Sequence, residues 1–572
     1  MKEYNATIEF HWSPMLVESN CDNPVRQDAR NRTVRIESIE KHAKQWTDAD
    51  ILVFDSYTWW MVDQTITFLW GSFGSLDAIY KNVTMWLRPF EMAIQTWSNW
   101  IEININRDKT KLFFMSMSSD HYRGEEWGAE YGQNCYGETN PILKKEKNWG
   151  KLIDREMMEI VESAIDKLGT RGVKVQYLNI TYLSAYRKEA HPTIYRTFQV
   201  PPKNHRQNQR ETNEEEHTTS SKNSCNLFSG KWVYDNESYP LYKEQECSFM
   251  PDDLTCEQNG RKDLKYQFWR WQPHHCDLPR FNVTAFLEKV RGKRVVFVGD
   301  SLNRNQWLSM MCLLEPAIPP SSKLLIKYYE YTIPIPEYNT TFEFYWSPML
   351  VETNCDNPSH YNPQNRTVRI SAIEKHAKHW TDADILVFDS YAWWMVNKTM
   401  TLLWGSFDSL DAIYQNASTG VRPYEMALQT WSNWLEYNLN RDKTKLFFMS
   451  MSPDHTRGEE WGFEKGQNCY GETEQFMEER RWGTLINREM MEIVESAIYE
   501  LDKRGVKVQY INITHLSTYR KDAHPSIYKK FPVTPTKEKL ANPPTYSDCL
   551  HWCLPGVPDV WNQMLYSYIV NS

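Results

Sequence analysis

Apolar and polar positions follow two rhythms along this chain. Short, mainly apolar runs have the length and the β-branched or aromatic content of buried strands: VVFV at 295–298, ILVF at 385–388, KLFFM at 445–449 and VKVQYI at 506–511. Between them, YEMALQTWSNWL at 424–435 and NREMMEIVESAIYEL at 487–501 place apolar residues three and four apart, the spacing of one helix face. Strands alternating with amphipathic helices predict an α/β fold with a mostly parallel sheet covered on both faces. The first run is entered from the basic stretch 291–294. It empties into Gly299-Asp300-Ser301 and then into helix-compatible residues through Leu314. Sites on parallel sheets form beyond the carboxyl ends of the strands, so Ser301 stands where a nucleophile is expected.

The pattern is written twice. EYNATIEFHWSPMLVESNCD at 3–22 returns as EYNTTFEFYWSPMLVETNCD at 337–356, ILVFDSYTWW at 51–60 as ILVFDSYAWW at 385–394, and GQNCY at 132–136 as GQNCY at 466–470. The parallel closes at AHPTIY, 190–195, and AHPSIY, 523–528. Two copies at so long a period make a duplicated domain rather than a solenoid. Only the second copy is preceded by the Gly-Asp-Ser stretch and followed by YSDCLHWCLPG at 546–556. The polar stretch PPKNHRQNQRETNEEEHTTSSKN at 201–223 lies between the copies and reads as a solvated linker. The expected organisation is a truncated, non-catalytic copy at 1–200, a linker at 201–224, a cysteine-rich subdomain at 225–280 and a catalytic domain at 281–572. A tandem duplication that lost its leading part and a fusion of two gene units give the same sequence.

Composition narrows the chemistry. The 572 residues exceed what one core organises, and a net charge of -9 with no basic run excludes a nucleic-acid partner. Aromatics reach 14% with 25 Trp, a surplus that leans toward sugar rings, which stack on flat side chains. Nine of the 11 Cys fall after residue 224, without the spacing of a zinc site, and disulfides are the better expectation. Eleven N-x-S/T sequons point to the same secretory compartment. No apolar leader opens the sequence, and no apolar run of about 18 residues occurs to span a membrane.

A serine hydroxyl attacks only when a base takes its proton, usually a histidine oriented by a carboxylate. Asp548 and His551 in DCLH at 548–551 supply both from one turn, and the turn at Gly299 leaves backbone N–H groups near Ser301 for an oxyanion. The competing expectation makes Ser301 a helix cap.

GDSLNRN at 299–305 together with DCLHWCLPG at 548–556 resembles the plant trichome-birefringence-like family of cell-wall polysaccharide O-acetyltransferases, within the GDSL/SGNH esterase superfamily. CNLFSGKWV at 225–233 and YQFWRWQPHHC at 266–276 resemble that family's amino-terminal cysteine-rich domain. The resemblance implies an SGNH-hydrolase-like fold and acetyl transfer to polysaccharide hydroxyls in the Golgi lumen by a membrane-anchored protein, with xylan as acceptor. A Ser301–His551–Asp548 triad would act by double displacement. An acetyl donor such as acetyl-CoA would be co-substrate, with no resident cofactor and no metal. An acetylesterase, another wall glycan as acceptor and a non-catalytic glycan binder are the alternatives. Around the serine, Gly299, Asp300, Asn303, Arg304 and Asn305 are expected to support the oxyanion or substrate. Trp393 and Trp394 are expected to stack on sugar, although such a pair at a strand end is more often core. Members of the family often carry Asn where this chain has Asp389. A carboxylate there repels developing negative charge unless protonated, so Asp389 is left out of the expected oxyanion hole. The resemblance also implies the disulfides Cys225–Cys276, Cys247–Cys312, Cys256–Cys553 and Cys469–Cys549, which leaves Cys355 single and Cys135 without its counterpart's partner.

Overall fold

The computed structural model describes residues 6–23, 32–61, 65–73, 78–84, 87–121, 129–130, 133–142, 155–193, 226–324, 326–327, 330–357, 366–395, 399–407, 412–418, 420–461, 464–476, 487–531 and 534–571. Two compact units result, one from 1–223 with 404–415 and one from 224–403 with 416–572.

The second unit is built on a seven-stranded sheet. Its strands in chain order are β1 (Arg294–Gly299), β2 (Ile326–Lys327), β3 (Glu330–Ile335), β4 (Thr340–Trp346), β5 (Ile385–Asp389), β6 (Lys445–Met449) and β7 (Val508–Ile511). Across the sheet the order is β2-β3-β4-β1-β5-β6-β7. β4, β1, β5, β6 and β7 are mutually parallel, while β3 and β2 add an antiparallel edge. The four apolar runs are all strands of this sheet. β1 lies in the middle with Gly299 opposite both Trp346 and Asp389.

Helices cover both faces. α1 (Val283–Lys289), α2 (Ser301–Leu314) and α5 (Val557–Val570) pack together, and their core includes Val295, Phe297, Ile385 and Val387. α3 (Val421–Asn438) and α4 (Arg488–Lys503) pack as a pair, and Trp431 of α3 meets Phe388 and Phe448 edge-on. Side chains alternate across a strand, so Ile385 and Val387 point one way while Phe388 points the other. Each such fully buried side chain stabilises the fold by about 1.5–3 kcal/mol. The cysteine-rich region adds a two-stranded sheet, Gly230–Tyr234 with Trp269–Pro273, tied to the body where the Trp232 indole donates to the Leu516 carbonyl at 2.8 Å.

Disulfides join Cys247 to Cys312, Cys256 to Cys553 and Cys469 to Cys549. Cys276 is disulfide-bonded as well; Cys225, its expected partner, lies outside the described residues. Cys355, Cys21 and Cys135 keep thiols.

In the first unit, strands Ile51–Phe54, Lys111–Met115 and Val175–Leu178 form a three-stranded parallel sheet. Helices Leu87–Asn104 and Arg155–Thr170 pack as a pair, and Phe54 and Phe114 of the sheet meet Trp97 of the first. The opposite face is bare. Ile51 and Val53 are 60% and 54% exposed, whereas Ile385 and Val387, the same residues in the repeat, are at 0%. Ile8 and Phe10 stand at 84% and 85% and take no strand, while their counterparts Phe342 and Phe344 in β4 are at 0% and 1%. Among the described residues no strand equivalent to β1 stands beside Ile51–Phe54.

Candidate active site

Strand β1 delivers its last residue, Gly299, into a space closed to any side chain. A Cβ there would lie 2.1 Å from the Asp389 carbonyl oxygen and 2.9 Å from Asn303 Cβ. Asp300 caps α2: its carboxylate accepts from the Leu302 N–H at 2.9 Å and from the Ala392 N–H at 3.2 Å. The cap is therefore Asp300, and Ser301 is the first residue of the helix, with its hydroxyl committed elsewhere. Its N–H, one of the orphan donors of the first turn, has no protein partner among the described residues.

The segment at 548–553 is held from several sides. Asp548 pairs with Ser526 through backbone hydrogen bonds of 2.9 and 3.0 Å. Its Oδ1 accepts from the N–H groups of Leu550 at 3.1 Å and His551 at 3.0 Å, closing a tight turn. That turn aims the ring of His551: Nδ1 lies 2.8 Å from Asp548 Oδ2, and Nε2 lies 2.8 Å from Ser301 Oγ. Asn305, one helical turn after Ser301, accepts from the Trp552 N–H at 2.8 Å and so docks the segment on α2. The disulfides at Cys549 and Cys553 fix it on both sides of His551.

Burial pushes the Asp548 carboxyl up, but the charges and hydrogen bonds of His551 and Lys529 outweigh it and hold the group well below the usual carboxylate range. Lys529 pairs with Asp548 Oδ2. No sequence motif marks this lysine. Asp300 is raised to about 6 by burial, and Asp389 is raised well above the ordinary value by burial first and by the Asp300 charge second. Both effects disfavour a charge on Asp389, which weakens the electrostatic objection to an acid beside Gly299; among the described residues its buried Oδ1 has no hydrogen-bond partner.

The other expected residues divide. Asn303 is fully buried, and among the described residues its amide atoms have no hydrogen-bond partner. Arg304 lies 3.5 Å from Asp253 of the cysteine-rich region. Trp393 is half-buried and meets Trp346 edge-on at 5.3 Å. Trp394 is fully buried, its indole donating to Ser390 Oγ at 3.1 Å, so it offers no face to a sugar. Two histidines that sequence reasoning passed over, His524 and His455, line up behind His551; the recurrence of Ala-His-Pro in both repeats was the available signal. Among the described residues no group of His, Cys, Asp and Glu could hold a metal ion, and no helix is long and apolar enough to cross a membrane. A cavity of about 1010 Å³ lies at the amino ends of β6 and β7, lined by Lys445, Phe447, Tyr499, Tyr510 and Tyr568, and touches none of the residues around Ser301.

A serine beyond a parallel strand, hydrogen-bonded to a histidine that a buried carboxylate orients, is the arrangement of serine-dependent acyl-transfer enzymes. The chain belongs to the PC-Esterase family, the GDSL/SGNH-like acyl-esterase family found in Pmr5 and Cas1p, which it matches over residues 1–212 and 278–568. Residues 223–277 match the PMR5 N terminal Domain. Among curated relatives, Protein trichome birefringence-like 34 of Arabidopsis thaliana is 54% identical over 350 residues, 61% of this chain and 85% of the relative. Xylan O-acetyltransferase 14 of Oryza sativa subsp. japonica is 48% identical over 379 residues, 62% of this chain and 79% of the relative. Xylan O-acetyltransferase 12 of the same rice is 47% identical over 357 residues, 61% and 70%.

Proposed function

We propose that this protein transfers acetyl groups from an activated donor, such as acetyl-CoA, to hydroxyl groups of a plant cell-wall polysaccharide, with the 2- and 3-hydroxyls of xylosyl residues in xylan as acceptors. The observation that carries this is the pair of 2.8 Å contacts joining Ser301 Oγ, His551 and Asp548. The choice of xylan draws on the rice relatives named for that acceptor.

His551 Nε2 takes the Ser301 proton as Oγ bonds to the acetyl carbonyl carbon. The bond to the donor's leaving group then breaks, and that group takes the proton from His551. Acetyl-Ser301 is attacked by a sugar hydroxyl whose proton passes to His551. The acetyl–Oγ bond breaks and Ser301 recovers its proton. Asp548 stays ionised throughout and stabilises the imidazolium. The Ser301 N–H is placed to hold the oxyanion.

In this proposal residues 281–572 are the catalytic domain, 225–280 its cysteine-rich subdomain and 201–224 a linker. Residues 1–200 are a truncated, non-catalytic copy, which the bare sheet face of the first unit supports. The proposed compartment is the Golgi lumen; the disulfides and the exposed sequon residues Asn82, Asn179, Asn236, Asn282, Asn339 and Asn416 favour it.

The test is incubation of the full chain with acetyl donor, with and without unacetylated xylo-oligosaccharides, followed by peptide mass mapping and product NMR. Acetyl-Ser301 that clears when the acceptor is added, with new sugar esters, is expected. Acetate released at the same rate with or without acceptor would make the protein an esterase. Deleting residues 1–210 should leave the transfer rate unchanged, and a large fall would contradict the role given to the first copy.

A further inference from the structure

Behind His551 stand two histidines that the Ser301–His551–Asp548 set does not use. His524 belongs to the recurring Ala-His-Pro segment and His455 to the chain after β6, and both rings are buried. His455 Nε2 lies 3.0 Å from the Thr518 carbonyl oxygen, His455 Nδ1 lies 2.6 Å from His524 Nε2, and His524 Nδ1 lies 2.7 Å from the carbonyl oxygen of His551. The line is clamped: His524 stacks on Trp552 at 4.1 Å, Arg261 donates to the His524 carbonyl at 2.8 Å, and the His455 N–H donates to the Cys549 carbonyl at 2.8 Å.

The line has more contacts than protons to fill them. A carbonyl oxygen only accepts, so each end of the line needs an N–H, and the ring-to-ring contact needs one more. Two neutral imidazoles bring two protons for three contacts. Burial first of all pushes His455 down to about 3 and His524 down to about 4, so at neutral pH the pair has no third proton. At 2.6 Å the ring-to-ring contact requires a proton, and the shortage falls on one end. In one tautomer His455 Nδ1–H donates to His524 Nε2, and His524 Nδ1–H holds the His551 carbonyl. In the other, His524 Nε2–H donates to His455 Nδ1, His455 Nε2–H holds the Thr518 carbonyl, and the His551 carbonyl faces a lone pair.

The first repeat carries the same pair. His121 Nε2 lies 3.0 Å from the Ala185 carbonyl oxygen and His121 Nδ1 lies 2.7 Å from His191 Nε2, and two protons serve both of these contacts. No Asp-x-x-His segment lies between this pair and the second repeat.

We propose that His455 and His524 form a tautomeric positioning pair that holds the backbone of His551, and with it the ring facing Ser301, in one tautomer and releases it in the other. His524 and His455 act through His551 and are positioning residues. The inference rests on His551 serving as base to Ser301.

The test uses the full chain, the rate of Ser301 labelling by a fluorophosphonate, and kcat and KM for acetyl transfer. His524→Gln puts its amide near the position of Nε2 and loses the donor to the His551 carbonyl; His524→Asn puts its amide near Nδ1 and keeps it. Labelling and kcat should fall roughly tenfold in His524→Gln at unchanged KM, the effect of about one buried hydrogen bond, and recover most of that loss in His524→Asn. His455→Asn, which offers an N–H to His524 Nε2, should favour the holding tautomer and raise the rate by up to about twofold. Thermal unfolding checks that each variant is folded. In wild-type protein labelled with 15N-histidine, both rings should show shifts averaged between two tautomers. Equal rates for His524→Gln and His524→Asn, or a single fixed tautomer, would overturn the inference. A wild-type protein that the probe leaves unlabelled would instead remove the role given to Ser301.

Discussion

Two of the disulfides close loops of nearly equal length, and this separates stability from positioning. Cys469–Cys549 spans 80 residues and Cys247–Cys312 spans 65. Loop-closure entropy in the unfolded chain assigns each about 4 kcal/mol, with a difference between them of only about 0.2 kcal/mol. Replacing either pair by serines should therefore lower the melting temperature by a similar amount, about 6 °C for a unit of this size. Their surroundings differ. Cys549 adjoins Asp548, and its carbonyl accepts from His455 at 2.8 Å, whereas Cys312 sits near the far end of α2, three turns from Ser301. Loosening Asp548 misdirects the ring of His551, so the Cys469→Ser/Cys549→Ser variant should lose at least about tenfold more kcat than the Cys247→Ser/Cys312→Ser variant. The assay is acetyl transfer at a temperature well below both melting transitions, alongside calorimetry. Equal losses of kcat in the two variants would refute the view that this disulfide orients the Asp548–His551 turn.

Asp559 is buried and raised to about 6, first by burial, so the folded protein binds its proton more tightly than the unfolded chain does. Its contribution is present below pH about 4 and is lost as pH rises through about 6, a swing of about 3 kcal/mol, and Asp559→Asn should flatten that part of a denaturant-measured stability profile. Lys529→Met removes one of the charges that hold Asp548 low, and the acid limb of the pH–rate profile should move to higher pH. Ile385→Ala in the covered strand should destabilise its unit by about 3 kcal/mol, while Ile51→Ala at the same place in the repeat should change stability by less than about 0.5 kcal/mol, both read by chemical denaturation.

What the sequence announced and what it withheld follow from where the deciding forces lie. Ser301 was legible because an apolar strand, a glycine at its end and a helix start are all local signals. Asp548 and His551 were legible because three-residue spacing alone lets one turn present both side chains. β4 was not. Its TTFEFYW becomes a strand beside β1, while the matching ATIEFHW at 6–12 stays irregular, so the neighbour decides the element and not the local pattern. The identity of the helix cap depended on which of two adjacent side chains, Asp300 or Ser301, has a competing partner, and the competitor is His551, 250 residues away. Lys529 reaches the same turn from 19 residues away and His455 from a separate stretch of chain, and neither belongs to a spacing rule. Trp394 fell to the core because the sheet end it occupies is covered.

The decisive measurement is the rate of acetyl transfer to unacetylated xylo-oligosaccharides by the wild-type full chain, Ser301→Ala and His551→Ala, each shown to be folded. A loss on the order of a thousandfold or more in both variants, with acetylated sugar formed by the wild type, is the predicted result. Transfer by Ser301→Ala at the wild-type rate would contradict it.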